Sequence, residues 1–122
     1  MLDDGEVEAV SGKINTAAHW LRENYHRQIS VTDAAQVAQM SERNFLRRFK
    51  TQTGLTPSEY LLRARLDASC ILLSETDLPI DTIARRCGIH RGGGLAKIFR
   101  RRLSISPSDY RAANRPGARH GG

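Results

Sequence analysis

The sequence predicts an all-α fold in which two helix-turn-helix units of the same design are joined by a long central helix. Three observations predict it. Apolar residues recur at helical spacing in one segment after another, and no stretch alternates apolar with polar residues as a half-buried strand would. The text "NFLRRFKTQTGLTPSEY" (44–60) returns as "GLAKIFRRRLSISPSDY" (94–110), and such self-similarity marks a repeated structural unit. Finally, each copy places small residues in a first short helix and bulky ones in a second, across a break of two or three residues.

The two copies align residue by residue. At an offset of fifty, Phe45 pairs with Leu95, Arg47 with Lys97, Phe49 with Phe99, Lys50 with Arg100 and Gly54 with Ser104. Pro57, Ser58, Glu59 and Tyr60 pair with Pro107, Ser108, Asp109 and Tyr110. Upstream the offset is forty-nine, pairing Val31 with Ile80, Ala35 with Ala84, Ala38 with Cys87 and Met40 with Ile89. The second copy therefore carries one extra residue, inside "HRGGG".

Residues 1–12 hold four acids and no base and read as an acidic linker or tail. The first unit is expected over 13–56. It opens with "INTAAHWLRENYHRQ", whose Ile14, Ala17, Ala18, Leu21 and Tyr25 form one stripe flanked by Trp20. In "SVTDAAQVAQ", Ser30 or Thr32 caps a short helix with Asp33 in its first turn. After a break at Met40 and Ser41, Ser41 caps a second helix from Glu42 to about Thr53. That helix turns Phe45 and Phe49 inward, and Gly54 is placed to end it. Ala35 and Ala84 sit where the paired helices cross, and a larger side chain there would push them apart.

Pro57 can open the linking helix, 57–75. Tyr60, Leu61, Ala64, Leu66, Ala68, Ile71, Leu72 and Leu73 cover so much of its circumference that it is expected to be buried, as a strut setting the distance and angle between the units. "TDLP" ends it, Asp77 or Asp81 begins the second unit over 76–111, and residues 112–122 are expected to form a disordered tail.

Composition limits the functions. The chain has 122 residues and a formal charge of +6, which suits a polyanion, nucleic acid before an acidic membrane surface. A merely solvated basic face is the bland alternative. Residues 83–111 concentrate eight Lys or Arg against Asp109 alone. No apolar run is long enough to span a membrane, and the N-terminus lacks the pattern of a secretory signal, so a cytoplasmic address is expected. Cys70 and Cys87 are too few for a disulfide framework or zinc site and read as reduced core thiols. The four histidines share no metal-ligand spacing, and neither a metal nor a cofactor is expected.

On "SERNFLRRFKTQTGLTPSEYLLRARLDASCILL" and "IARRCGIHRGGGLAKIFRRRLSISPSDYR", the chain resembles the DNA-binding domain of AraC/XylS-type bacterial transcription regulators. "LPID" and the glycines of the second copy look most like members whose sensor resembles a class I glutamine amidotransferase. The resemblance implies seven helices in two homeodomain-like helix-turn-helix units, double-stranded DNA read in successive major grooves, and activation of transcription by touching RNA polymerase. It also implies a sensor or dimerisation domain elsewhere in most full-length members, with this stretch monomeric by itself and associated with the nucleoid.

With Phe45 and Phe49 inward, the exposed face of the first recognition helix holds Glu42, Arg43, Leu46, Arg47 and Lys50. Arginine suits a bidentate contact to guanine, so Arg43 and Arg47 are the expected base readers, with Leu46 against a thymine methyl or a sugar. These match base-reading positions of the family. In the second copy, Gly92, Gly93 and Gly94 stand where the family often carries polar readers. His90, Arg91 and Lys97 remain as candidates, while Arg100, Arg101 and Arg102 look like phosphate clamps. Ser30, Thr32 and Lys50 are the expected backbone contacts of the first copy.

Two other function classes are open at this point. A similar domain is attached to some alkyl-DNA repair proteins with a reactive cysteine, but here both cysteines fall on core positions without a base. A protein-interaction module using the same basic helices is the other.

Overall fold

The computed structural model describes residues 4–90 and 94–115. Among them are seven helices: α1 (Asp4–Glu23), α2 (Val31–Val37), α3 (Glu42–Thr53), α4 (Pro57–Glu75), α5 (Ile80–Arg86), α6 (Gly94–Leu103) and α7 (Pro107–Asn114). The chain forms two compact units, one ending at Arg63 and the other beginning at Ala64. The division falls inside α4, so the linking helix is shared between the units rather than being a separate segment.

In the first unit, α1 buries Ile14, Ala17, Ala18 and Leu21 against Ala34, Ala35 and Ala38 and against Phe45 and Phe49 of α3. Trp20, Met40, Tyr60 and Leu61 close over this core. Ser30 caps α2 through a reciprocal box: its hydroxyl accepts the Asp33 N–H at 3.1 Å, and Asp33 accepts the Ser30 N–H at 2.9 Å. Such a cap is worth about 1 kcal/mol.

The turns of both units follow one hydrogen-bond scheme. The Met40 N–H bonds the Ala35 carbonyl at 3.0 Å, and the Gln39 N–H bonds the Gln36 carbonyl. In the second unit Ile89 bonds Ala84 at 2.8 Å, and Gly88 bonds Arg85. This is the Schellman arrangement, which has a left-handed residue at the turn and is commonly accompanied by an apolar residue after it. Gln39 and Gly88 have the left-handed backbone, and Met40 and Ile89 supply the apolar residue.

The repeated phrase acquires a physical meaning letter by letter. Phe49 meets Tyr60 edge-on at 5.3 Å, and Phe99 meets Tyr110 edge-on at 5.6 Å. Gly54 and Ser104 turn the chain in the left-handed conformation. The Thr56 and Ser106 hydroxyls each accept the backbone N–H three residues on, at 3.1 Å, from Glu59 and Asp109. Pro57 and Pro107 are buried as the first residues of α4 and α7. The motif is therefore a helix stop, a helix start and an aromatic contact that locks the angle between them.

The second unit is built on Leu66, Ser69 and Leu73 of α4, with Ile83, Ala84, Cys87, Ile89, Leu95 and Phe99. Where α4 ends, two arginines serve carbonyls of its last turn and of the residues that follow it. Arg111 donates to the Leu73 and Leu78 carbonyls at 3.2 and 2.6 Å. Arg115 donates to the Thr76 carbonyl at 2.9 Å and pairs with Asp77. Cations at a helix C-terminus are favoured by its partial negative charge.

Four expectations need correction. The acidic stretch expected as a linker is helical from Asp4, and Val10 packs against the core. Neither Asp77 nor Asp81, the residues expected to begin the second unit, is the first residue of its helix α5, which starts at Ile80. The N-cap is Pro79, without a side-chain bond, and Asp77 is held by Arg115. The linking helix is only partly buried: Ile71 is 55% exposed, Tyr60, Leu61, Ala64, Ala68 and Leu72 are half-buried, and Leu66, Ser69 and Leu73 are its buried residues in the second unit. The tail expected from residue 112 instead continues α7 to Asn114, followed by Arg115 at its C-cap; residues 116–122 lie outside the described residues.

Candidate nucleic-acid interface

The second helix of each unit carries the candidate surface. Ser41 caps α3 by accepting the Asn44 N–H at 3.3 Å, and Gly54 ends it with φ of 81°. Phe45 and Phe49 are fully buried, 5.4 Å apart between rings. The helical period then fixes the opposite face: Glu42, Arg43, Leu46, Arg47 and Lys50 are all exposed. With Thr56 they line a shallow, open concavity. Leu46 is 37% exposed, an apolar side chain held out among cations.

Several of these side chains are pre-positioned. Arg47 donates to the Asn44 side-chain oxygen at 3.2 Å. Lys50 donates to the Gly54 carbonyl at 3.0 Å, next to the negative end of α3. The Thr32 hydroxyl donates to the Glu42 carboxylate at 2.9 Å, so its single proton reaches a phosphate only if that bond opens. The Ser30 oxygen is occupied as a cap acceptor while its proton stays available. The far end of α3 is tied to α1, since the Gln52 amide donates to Asn15 at 2.8 Å and to the Ser11 carbonyl at 3.2 Å.

The corresponding helix α6 buries Leu95 and Phe99, and Lys97, Arg100, Arg101 and Arg102 are exposed. His90 is exposed in the segment ahead of it. Arg91, expected among the readers, lies with Gly92 and Gly93 outside the described residues. A side chain at Gly94 would meet Ile89 Cγ2 at 3.2 Å, closer than comfortable contact, so Ile89 would have to give way.

Sequence reasoning misses three sets of positioning residues. A count of charges groups Arg111 with the basic face, yet it serves the α4 carbonyls together with Arg115. Arg22 donates to the Tyr60 hydroxyl and lies over its ring. Gln52 is the third.

Neither cysteine is poised for chemistry. Burial pushes the Cys70 and Cys87 thiols above the ordinary range, and contacts with Tyr110 and Ser69 only partly oppose this. A nucleophilic thiol needs the opposite shift. Among the described residues no cluster of His, Cys, Asp and Glu could hold a metal ion.

Known proteins share this arrangement. A family described as a helix-turn-helix domain matches residues 34–113. The DNA-binding domain of the global transcriptional factor AdpA, solved with a target DNA, is 38% identical with a TM-score of 0.81, over 89% of this chain and 97% of that one. A regulator from Chromobacterium violaceum with an AraC-type DNA-binding domain is 28% identical with a TM-score of 0.78, over 92% and 96%. The chain belongs to the AraC/XylS family of helix-turn-helix proteins. Among its AraC-type relatives, the activator RhaS of Enterobacter sp. (strain 638) is 35% identical over 105 residues, 86% of this chain and 38% of RhaS. The probable regulator LumQ of Photobacterium leiognathi is 32% identical over 110 residues, 90% and 44%. The chain thus spans less than half the length of these curated relatives.

Proposed function

We propose that this domain binds double-stranded DNA in a sequence-dependent way and so regulates transcription, as an activator that contacts RNA polymerase. The observation that carries the reading is the exposed face of α3: Arg43, Leu46 and Arg47 project from a helix whose other side is locked by two buried phenylalanines. Two arginines one turn apart suit the acceptor pairs of guanine, and a leucine between them suits a thymine methyl. Ser30, Thr32 and Lys50 flank this face as phosphate contacts. In the second unit His90, Arg91 and Lys97 are the candidate readers and Arg100, Arg101 and Arg102 the phosphate contacts.

The duplication supports a bipartite site whose halves lie one helical turn, roughly 34 Å, apart. The likeness to AdpA, solved with its target DNA, supports DNA as the ligand, and the likeness to RhaS, named an activator, supports the direction of control. Such a protein works in the bacterial cytoplasm, at the nucleoid. No helix among the described residues is long and apolar enough to cross a membrane.

Selection from random-sequence duplex with the whole chain tests this. A consensus bound at least about a thousandfold more tightly than unrelated duplex is the expected result. Capture of an acidic protein but no duplex would replace the reading with a protein-interaction module.

A further inference from the structure

Resting on that reading, we propose that the two units act differently on the duplex. The first determines which sequence is bound, and the second supplies sequence-independent attraction to phosphate. The support is a comparison of the two recognition faces, position by position, on scaffolds that are otherwise alike.

At the offset of fifty, Glu42, Arg43 and Asn44 become Gly92, Gly93 and Gly94, and Leu46 becomes Ala96. The first two of these glycines lie outside the described residues, but their lack of a side chain is a matter of sequence. At Gly94 a Cβ would meet Ile89 Cγ2 at 3.2 Å, so a replacement there needs Ile89 to shift by a few tenths of an ångström. Leu46 is exposed, whereas Ala96 is half-buried and short. The N-terminal turns of a recognition helix are the part that meets base edges, and at the aligned positions the sequence of the second copy has three glycines and one alanine. Lys97 remains in the place of Arg47, but an ammonium is a point charge without the planar fork that distinguishes guanine.

The opposite change occurs at the other end of the helix. Lys50, Thr51 and Gln52 become Arg100, Arg101 and Arg102, all exposed. Gln52 donates to α1 in the first unit, and the residue aligned with it in the second is an arginine. Side chains that discriminate have been exchanged for charge that does not. Phosphate contacts raise affinity for every sequence alike and make it salt-dependent.

The experiment uses the whole chain and the duplex obtained by selection. Each half-site is scrambled in turn, and affinity is measured from low to high salt. The half whose preference disappears in Arg43→Ala is assigned to the first unit. Scrambling that half is expected to weaken binding at least about 5- to 150-fold, the range of one good base contact, and scrambling the other half by less than about 5-fold. Arg101→Gln, with Arg100→Gln as a second exposed variant, is expected to weaken selected and unrelated duplex in equal proportion and to reduce the salt slope by about 1. Equal losses from scrambling either half would overturn the division of labour while leaving DNA binding intact. So would a change in the ratio of selected to unrelated binding in the Arg101 or Arg100 variant. Failure of the unmodified chain to bind any duplex would instead overturn the proposed function, and this inference with it.

Discussion

Gln39 and Gly88 occupy the same place in the two copies and share a left-handed backbone, with φ of 58° and 84°. A second such pair follows each recognition helix, where Gly54 has φ of 81° and Ser104 has 59°. Each unit thus uses glycine at one of its two left-handed positions and tolerates a side chain at the other. The strain at Gln39 and Ser104 persists because the turns are over-determined by their capping bonds and apolar contacts.

Gln39→Gly and Ser104→Gly are each expected to raise stability by about 0.5–1 kcal/mol. Relief of about 1–2 kcal/mol of left-handed strain outweighs the larger entropy that glycine gives the unfolded chain. Gly54→Ser should have the reverse effect. Space is open around Gly54, so its cost would be conformational. Urea unfolding midpoints check all three, and a loss of stability in Ser104→Gly would contradict the argument.

Arg111→Ala is expected to destabilise the second unit by about 1.5–3 kcal/mol, the magnitude for hydrogen bonds from a charged donor, because the Leu73 and Leu78 carbonyls lose their partner. Arg111→Lys should recover little, since one ammonium cannot reproduce the guanidinium geometry. The salt slope of DNA binding should stay unchanged in both variants. A reduced slope with unaltered unfolding would place Arg111 on phosphate instead.

Arg47→Lys keeps the charge and removes the fork. It should therefore lower discrimination at one base pair by about 1–3 kcal/mol while leaving the salt slope as it was. Competition binding against duplexes substituted base by base reads both quantities, and a fall in slope without a loss of preference would mean that Arg47 meets phosphate only.

Stability should decline on the alkaline side. Cys70, Cys87 and Tyr110 all have raised pKa in the fold, Cys70 and Cys87 chiefly through burial and Tyr110 first through its hydrogen bond with Cys70. The unfolded chain then releases protons at lower pH than the folded one. Their contribution is fully present below about pH 8.5, where an unfolded thiol begins to ionise, and is lost as pH rises through the raised folded values. Cys87→Ser and Cys70→Ser should flatten this decline, and both thiols should react slowly with alkylating reagents at neutral pH. Rapid labelling of the folded chain would contradict the burial account.

Much of this molecule is legible in its sequence because the repeat supplies an internal control. The inward phenylalanines, the Ser41 cap, the Gly54 stop and the Pro57 start all follow from local chemistry, and with them the exposed face of α3. What escapes is long-range. Nothing near Arg111 indicates that it reaches back over thirty residues to the end of α4, and a count of basic residues assigns it to the wrong job. The sequence overstates the burial of α4 for a related reason: apolar residues on many sides of a helix do not say which of them a neighbour covers, and Ile71 is left bare. The acidic start misleads because its charges look like a linker's, whereas the chain is helical from Asp4.

The Phe49–Tyr60 and Phe99–Tyr110 contacts, with the stop and start residues between them, are almost the same in both halves, while the surfaces they support have diverged. Architecture and recognition are therefore separable here. Variation can rewrite the outward residues of either half without renegotiating its interior, and a designer could transplant the 42–50 surface onto the 92–100 position, once Ile89 is trimmed, to lengthen the recognised word.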